Sequence, residues 1–478
     1  MRSNKSRQLA GPTKKRILIT LGLILLVLTS FFGGYFSQYA LRGEGEQVVS
    51  DVMHIMDQVG FVYDAEKDEY VKLDEDKIAR LIAGNFLDGY STYYSKEEYA
   101  EIQQKNAGNY VNFGINMTNE NAKSEDEGTN EIYSVIVNSP AHLAGLKSGD
   151  KVVGIKLNDQ EKQDILNGKQ LNEFFKDTKA GDVAKFYIDG VAEPITVEKK
   201  AYSRCYVTYE DSEVSSYFSP EYGQKMVTTD DAYGVIVEQS KRPEGQTDTD
   251  LPAPDFDKFG DDVAYVKLWA FEGDADLQMG AIIEYMVERG RTKLVLDLAG
   301  NGGGSMTILQ SIASYLIYRD GKNNTKIAIA TEKLDGNEED GYLAEGYRQT
   351  DYIATGNKFN TAITKISVVA DRNTASASEC LIGAMMYYSD EIFTKNSLVV
   401  VGSENAQGQT EYRTYGKGIM QTTYKLSSGG ALKLTTAKLL QPNKKCIHGV
   451  GISPLIDQNK AQNHDLAVTR AIQIVSAN

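Results

Sequence analysis

The sequence predicts an α/β protein with a smaller β-rich domain and one N-terminal membrane helix. From Val263 onward, short apolar strands alternate with amphipathic helices, an order that indicates a βαβ core. Residues 110–200 contain short strands and glycine turns of their own. Residues 17–35 are uncharged and mostly apolar, and a helix of that length can cross a bilayer.

The N-terminus combines a basic tail with the apolar run. Residues 1–16 contain basic but no acidic residues, whereas acidic residues follow the run from Glu44 onward. This asymmetry places the N-terminus in the cytoplasm and the rest of the chain on the outer side of the membrane. A cleaved signal peptide is the alternative, but the run is long for one and no small-residue cleavage site follows closely. We therefore expect an uncleaved, single-pass anchor.

The composition limits the classes of partner. The 66 acidic residues outnumber the 51 basic ones and leave a net charge of −15, which argues against a nucleic-acid partner. The four histidines form no HxxxH pair, which argues against a zinc site. The three cysteines lie far apart and form no disulfide framework, although one bridge stays open.

Residues 47–105 are predicted to be helical. Residues 77–87 carry apolar side chains at helical spacing, and residues 88–94 interrupt the pattern. Ser95, followed by acidic residues, has the pattern of an N-cap with a charged first turn.

Residues 110–200 are predicted to fold as a separate domain. The run Ser139-Pro140-Ala141-His142-Leu143-Ala144-Gly145 places a proline at the start of a short helix and a glycine at its end, and Gly149-Asp150 then turns the chain into a strand. This run resembles that of a PDZ domain of bacterial proteases. Such a domain binds an extended peptide at a sheet edge and captures its C-terminal carboxylate on backbone N–H groups. The matching loop consists of Asn112, Phe113, Gly114 and Ile115. A β-rich packing module without a ligand is the alternative.

The remaining residues, 201–478, are predicted to form the α/β core. Residues 208–262 are interpreted as an irregular insertion, because residues 242–254 are polar and rich in chain breakers. The predicted strands and helices that follow are strands at 263–268, 293–298, 326–331 and 365–370, and helices at 277–289, 308–318 and from Ser376 to Tyr387.

Three polar residues in the C-terminal half suggest nucleophilic catalysis that does not use a histidine. Ser376 follows a strand at the start of a helix, where the helix dipole favours negative charge. Lys417 and Gln421 lie on one face if their segment is extended. Burial would lower the pKa of Lys417 and allow it to act as a general base, held by Gln421. A helix start of small residues and a solvated surface lysine are the alternative interpretation.

A glycine-rich turn follows the strand at 293–298. Residues 299–304 could direct backbone N–H groups at an anion. A phosphate loop would need a Gly-Lys-Ser/Thr ending or an acidic ribose ligand, and neither is present. The remaining interpretations are a plain tight turn and an oxyanion hole.

Together these motifs resemble the C-terminal processing (tail-specific) serine peptidases. The matching segments, in order, are residues 88–93, the PDZ run, residues 297–304, residues 374–379, residues 416–421, residues 432–438 and residues 447–452. The resemblance covers nearly everything after residue 35. It implies a crotonase-like α/β core with an inserted PDZ domain.

The resemblance also implies roles for individual residues. Ser376 is the nucleophile, Lys417 the general base and Gln421 the residue that orients it; Ser378 is the alternative nucleophile. The oxyanion hole is formed by the N–H of Ala377 and one from the pair Gly303 and Gly304. No metal or organic cofactor is implied.

Two departures from the family pattern stand out. Ala299 occupies a position where the family has arginine, so a polar clamp is missing or replaced. The segment between Ser376 and Lys417 is longer than usual, with extra residues around 404–411.

The resulting hypothesis is a membrane-anchored serine endopeptidase that grasps the C-terminal tails of protein substrates through a PDZ domain and cleaves through an acyl-enzyme. The alternatives are a non-catalytic PDZ receptor and a Ser-Lys esterase or amidase that acts on the cell wall. The sequence does not define the oligomeric state, and a homo-oligomer is compatible with it.

Overall fold

A computed structural model describes most of the chain after residue 60. The described residues are 61–64, 69–72, 75–106, 109–117, 130–147, 149–219, 235–238, 259–317, 325–333, 347–354, 358–405 and 407–477. The predicted membrane helix at 17–35 and the breaker-rich segment at 242–254 lie outside them. Among the described helices, none has the length and apolar character needed to span a membrane.

The chain divides into two compact units, Met1–Ile82 and Ala83–Asn478. In the first unit, strands β1 (Phe61–Asp64) and β2 (Glu69–Lys72) form an antiparallel hairpin. Helix α1 (Glu75–Phe86) follows and ends in the second unit. The prediction of a helical segment over residues 47–105, interrupted at 88–94, is therefore wrong at the hairpin, where aromatic and β-branched residues favour a strand.

The second unit begins with a strand and a helix, β3 (Thr92–Tyr94) and α2 (Lys96–Asn106). Ser95 caps α2 as predicted. Its hydroxyl accepts the N–H of Glu98 at 3.3 Å, and the Glu98 carboxylate accepts the N–H of Ser95 at 2.8 Å. This reciprocal pair satisfies two N–H groups that have no partner within the helix.

Residues 109–203 form a β-rich module with its own apolar core. Its elements are β4 (Asn109–Asn112), β5 (Ile115–Met117), β6 (Ile132–Val135), α3 (Pro140–Ala144), β7 (Val152–Leu157), β8 (Gln163–Asp164), α4 (Gly168–Phe175), β9 (Val183–Ile188), β10 (Ile195–Glu198) and β11 (Lys200–Ser203). Strands β10, β9, β7 and β8 form one sheet, and β5–β6 and β4–β11 form pairs. The core includes Phe113, Ile155, Leu171 and Phe186.

The short helix of this module has the predicted ends. Ser139 caps α3, because its hydroxyl accepts the N–H of His142 at 3.2 Å. Pro140 lies in the first turn, where its missing N–H costs nothing. Gly145 ends the helix at a φ of 94°, a left-handed conformation that glycine adopts without strain.

The α/β core is built on an eight-stranded sheet in the order β14-β13-β12-β15-β16-β19-β20-β25. In this sheet, β15, β16, β19, β20 and β25 are parallel to one another, whereas β12, β13 and β14 pair antiparallel. The elements of this sheet are β12 (Val207–Glu210), β13 (Ser215–Ser219), β14 (Val235–Glu238), β15 (Val263–Leu268), α5 (Ala275–Glu288), β16 (Lys293–Asp297), α6 (Met306–Leu316), β19 (Lys365–Ala370), α7 (Ala377–Tyr387), β20 (Leu398–Val401), β25 (Lys460–Ala461) and α8 (His464–Ser476). Three strands thus extend the sheet within residues 207–238, so the prediction of an irregular insertion over 208–262 is corrected there.

Both faces of the parallel strands are covered. Alternate residues such as Leu294 and Leu296 join the core that α5, α6 and α7 cover. Their neighbour Val295 joins a second core with residues of α8, such as Val468 and Ala471. Successive side chains of a strand point to opposite faces, so a strand that is apolar throughout needs helices on both sides.

A second, antiparallel sheet has the order β18-β17-β24-β23, and β3 pairs with β24. Its strands are β17 (Thr325–Lys333), β18 (Tyr347–Ala354), β23 (Ile419–Lys425) and β24 (Ala431–Leu440). Between the sheets in sequence, β21 (Ser403–Glu404) and β22 (Thr410–Glu411) form a small hairpin. The antiparallel sheet carries Gln421 and ends close to Lys417, whereas the parallel sheet carries Ser376.

Candidate active site

Ser376 lies at a strained turn between β19 and α7. Its φ of 57° and ψ of −114° place it in a region that side chains rarely occupy. Such strain costs on the order of 1–3 kcal/mol and is typical of functional sites. Helix α7 begins at the next residue, as predicted. The serine therefore faces the positive end of the helix dipole.

The glycine-rich turn after β16 packs directly against this serine. A Cβ added at Gly303, which has a φ of 99°, would lie 2.8 Å from Ser376 Cβ and 2.9 Å from Ala377 N. A Cβ added at Gly304 would lie 2.3 Å from the carbonyl oxygen of Phe271. Both positions require glycine, because no real Cβ tolerates such contacts.

Asn301 joins the two turns. This fully buried residue accepts the N–H of Gly303 on its side chain at 2.9 Å, and its carbonyl accepts the N–H of Ala375 at 3.0 Å. The same carbonyl accepts the hydroxyl of Ser378 at 3.0 Å. Ser378 is therefore buried and engaged in a structural bond, which disfavours it as the nucleophile.

Two of the three predicted oxyanion donors stay available. The N–H of Gly303 is already bonded to Asn301. In the described part of the chain, the N–H groups of Gly304 and Ala377 have no acceptor. We therefore narrow the predicted donor set to Gly304, which follows Gly303, and Ala377, which follows Ser376.

Glu379 is the central residue that the sequence motifs contained but to which we assigned no role. Its buried carboxylate accepts the N–H of Ser376 at 2.9 Å and that of Lys417 at 2.8 Å on the same oxygen, Oε2. Oε1 accepts the N–H of Gly416 at 2.7 Å and the hydroxyl of Thr414 at 2.5 Å. An acid three residues after a helix cap is the sequence signal for such a contact.

Lys417 lies two residues before β23 and is half-buried. Burial lowers the pKa of its amine, and the charge of Lys433 lowers that pKa further, against an opposing effect of the Glu379 carboxylate. Its Nζ lies 5.5 Å from the centre of the Tyr90 ring. Among the described residues, no direct hydrogen bond joins this amine to Ser376 or to Gln421. The structure thus brings the backbones of Ser376 and Lys417 together without a hydrogen bond between their side chains.

Gln421 lies within β23, beside a register shift in the pairing with β24. Its side-chain amide donates to Thr435 Oγ1 at 3.1 Å. Lys417 lies two residues before the strand and Gln421 lies within it, so the predicted common face of Lys417 and Gln421 does not belong to a single strand. Bulges of this type often re-aim side chains beside active sites.

The residues expected to bind a peptide form a turn of the β-rich module. The carbonyls of Phe113 and Gly114 accept the N–H groups of Ala141 and Ile136, at 2.9 and 2.8 Å. Asn112 accepts the hydroxyl of Tyr202 at 2.9 Å, and Ile115 pairs with β6. The N–H groups of Phe113 and Gly114 have no acceptor within the described ranges.

A buried charge cluster contacts the start of the glycine-rich turn, which is called the oxyanion turn below after its proposed role. Asp297, at the end of β16, accepts Lys267 Nζ at 3.0 Å and bonds His464 Nε2 at 2.7 Å. Lys267 also donates to the carbonyl of Ala299 at 2.9 Å. Ala299 has no polar side chain, and Lys267 of β15 instead makes a polar contact with its backbone carbonyl.

The longer segment before Lys417 folds as the β21–β22 hairpin. Arg413 follows this hairpin, and its Nε lies 2.8 Å from Glu411 Oε2. The chain then returns to Thr414, whose hydroxyl bonds Glu379. The extra length therefore does not separate Lys417 from the turn that carries Ser376.

The described residues contain no group of three or more His, Cys, Asp or Glu that could hold a metal. Cys205, Cys380 and Cys446 are all free, so no pair of them forms the bridge that the sequence left open.

Comparison with known proteins identifies the domain. Residues 262–457 match the model of peptidase family S41. A probable CtpA-like serine protease of Staphylococcus aureus strain COL is 24% identical over 404 residues, which are 83% of this chain and 63% of that protein. A probable CtpA-like serine protease of Staphylococcus saprophyticus is 24% identical over 448 residues, 92% of this chain and 73% of that one. This chain thus spans about 63% of the length of the first relative.

A solved structure titled photosystem II D1 C-terminal processing protease aligns with 84% of this chain and 86% of its own, at 18% identity and a TM-score of 0.43. That score is too low to bear on the site. On the match over residues 262–457, this chain carries a peptidase family S41 domain, which confirms the predicted resemblance to the C-terminal processing serine peptidases.

Proposed function

We propose that this chain is a serine endopeptidase in which Ser376 is the nucleophile and Lys417 the general base. The observation that carries the proposal is the shared bond of both backbones to one Glu379 oxygen, beside an oxyanion turn. A crotonase-like core is the finer fold that we propose for this α/β unit.

The reaction follows from the positions of these groups. Lys417, as a neutral amine, takes the proton of Ser376 while Oγ attacks the scissile carbonyl. The tetrahedral oxyanion is stabilised by the N–H groups of Gly304 and Ala377. The ammonium returns the proton to the leaving amine, and the acyl-enzyme forms. Water, deprotonated by Lys417, then attacks the ester, and the ammonium returns that proton to the departing Ser376 Oγ as the acid is released.

The β-rich module is our candidate for substrate recognition. We propose that it is a PDZ domain in which the unpaired N–H groups of Phe113 and Gly114 bind the C-terminal carboxylate of a protein substrate. An α-carboxylate occurs only at the C-terminal end of a chain, so a site that binds this group selects C-terminal tails.

We further propose that residues 17–35 anchor the enzyme and that the peptidase domain lies outside the cytoplasm of a bacterial cell. The length of the apolar run and the basic residues before it support this placement.

The decisive experiment uses the full chain in detergent and an unfolded protein substrate. Ser376→Ala and Lys417→Ala should each abolish cleavage, whereas Ser378→Ala should retain it. Mass spectrometry of the products then gives the cleaved bonds. Binding of tails without turnover by the unaltered chain would instead indicate a receptor. Turnover of small esters or cell-wall amides that survives deletion of residues 110–200 would indicate the esterase or amidase.

A further inference from the structure

Tyr90 lies at the amine of Lys417, although it comes from a segment far away in the sequence. The Lys417 Nζ is 5.5 Å from the centre of the Tyr90 ring, within the range of a cation–π contact. The Tyr90 hydroxyl donates to Tyr415 Oη at 3.4 Å, and the ring of His448 meets it edge-on at 6.1 Å. The phenol ring is thus held on two sides.

The backbone of this segment is also anchored beside the site. The N–H of Tyr90 donates to Asp88 at 3.2 Å, and Ser91 Oγ accepts the N–H of Thr435 at 3.0 Å. The next residues form β3, which pairs with β24. Strand β24 is the neighbour of β23, which begins two residues after Lys417. The sheet therefore determines where the Tyr90 ring lies relative to the lysine.

We propose that Tyr90 is a positioning residue for Lys417, and that its ring is the wall that separates the amine from bulk water. A general base must be deprotonated before it can act, and contact with water favours the ammonium ion. The ring face itself attracts a cation, and we infer that its exclusion of water is the larger of the two effects. The ring faces the amine on one side. This inference rests on the proposed function of Lys417.

Two other charged groups act on the amine, and two further titratable groups contact Tyr90. Glu379 faces it from α7 and favours the ammonium, whereas Lys433 faces it from β24 and disfavours it. Tyr415 and His448 are in contact with Tyr90. Hydrogen bonding to Tyr415 raises the pKa of Tyr90 to about 12, so the phenol stays neutral while the lysine titrates.

The proposal makes a prediction about pH rather than about maximal rate. Tyr90→Ala would let water reach the amine. The pH midpoint for modification of Ser376 should then rise by about one unit, which is a roughly tenfold loss at neutral pH. At high pH, where the amine is free in both proteins, the rates should agree within a few-fold. Tyr90→Phe keeps the ring and should keep the midpoint.

The experiment measures the rate of Ser376 modification by a fluorophosphonate as a function of pH, with the full chain. Acetylation of Lys417 by acetic anhydride, followed by mass spectrometry, reports the same titration directly. Tyr424→Ala, on the exposed part of β23, is the matched control and should not move either profile. Tyr90→Asn, a residue well suited to turns, provides the same test if the alanine variant does not fold.

Unchanged or lowered midpoints in Tyr90→Ala or Tyr90→Asn would overturn the inference, as would an equal shift in Tyr90→Phe, because that would assign the effect to the hydroxyl. A wild-type chain that is not modified at Ser376 would instead contradict the proposed function. The two failures are therefore distinguishable.

Discussion

The N–H groups of Ser376 and Lys417 donate to the same oxygen of Glu379, at 2.9 and 2.8 Å. Ser376 follows β19 of the parallel sheet and Lys417 precedes β23 of the antiparallel sheet, and this buried carboxylate bridges the two segments. Because the hydrogen bonds involve backbone groups, they position the turns rather than the reacting side chains. The geometry of the site thus depends on a residue that has no proposed part in the chemistry.

Glu379→Gln should lower kcat by about 100-fold or more, because small displacements of reacting groups have effects of that size. A glutamine has one acceptor oxygen, so its amide group would face a donor such as the N–H of Gly416. That mismatch should also lower the free energy of unfolding by about 1–3 kcal/mol. Peptide cleavage and urea unfolding measure the two effects.

The control for this variant is Glu404→Gln, at an exposed position of the β21 strand. It should change neither quantity. Wild-type kcat in Glu379→Gln would contradict the bridging role.

The oxyanion turn offers a comparison between neighbouring glycines. Gly303→Ala should abolish Ser376 modification, because its Cβ would lie 2.8 Å from Ser376 Cβ at a φ of 99°. Gly302→Ala has open space and no positive φ, so it should be close to silent. Fluorophosphonate labelling of both variants checks this, and equal labelling would show that the turn does not pack on the serine in solution.

Lys433 should tune the base through its charge. It lowers the pKa of Lys417, so Lys433→Gln should raise that pKa. The active amine would then form at higher pH, and the rising limb of the kcat/KM profile should shift upward. Lys425→Gln, at an exposed position of β23, removes a charge without that contact and should leave the limb in place. A shift in the opposite direction would rule out this charge effect.

Asp297→Asn tests the cluster below the oxyanion turn. Burial by itself raises the pKa of Asp297, but the charge of Lys267 and the bonds of His464 and Tyr265 hold it well below its ordinary value. Its folded pKa is thus below the unfolded one, so its stabilisation is present above the unfolded pKa and is lost as the pH falls through the folded pKa. The variant should lose about 3–5 kcal/mol at neutral pH, because Lys267 stays buried without its partner.

Urea unfolding as a function of pH measures this loss. Asp262→Asn breaks the more exposed pair with Lys293 and should cost about 1 kcal/mol or less. If both variants cost the same, the buried cluster is not the stabilising feature that we infer.

The strands and helices of the core were predictable because their patterns are local. Short apolar runs that alternate with helical segments predicted β15, β16 and β19, and the small residues after Ser376 predicted α7. The hairpin at residues 61–72 was missed, because two short strands can be mistaken for part of a helix. The strands within 207–238 were missed because β12 joins the sheet through β15, far along the chain, and β13 and β14 are added to it in turn.

The sequence by itself determined the candidate residues for the chemistry: a serine at a helix start, a lysine and a glutamine four residues apart, and a glycine turn. Only the tertiary structure decided how they meet, because contacts across two sheets are not encoded in local spacing. It assigned the Gly303 N–H to Asn301, showed Glu379 to be the link between Ser376 and Lys417, and placed Tyr90 over the amine. Each of these depends on which elements pack together, a property that a single residue pattern does not contain.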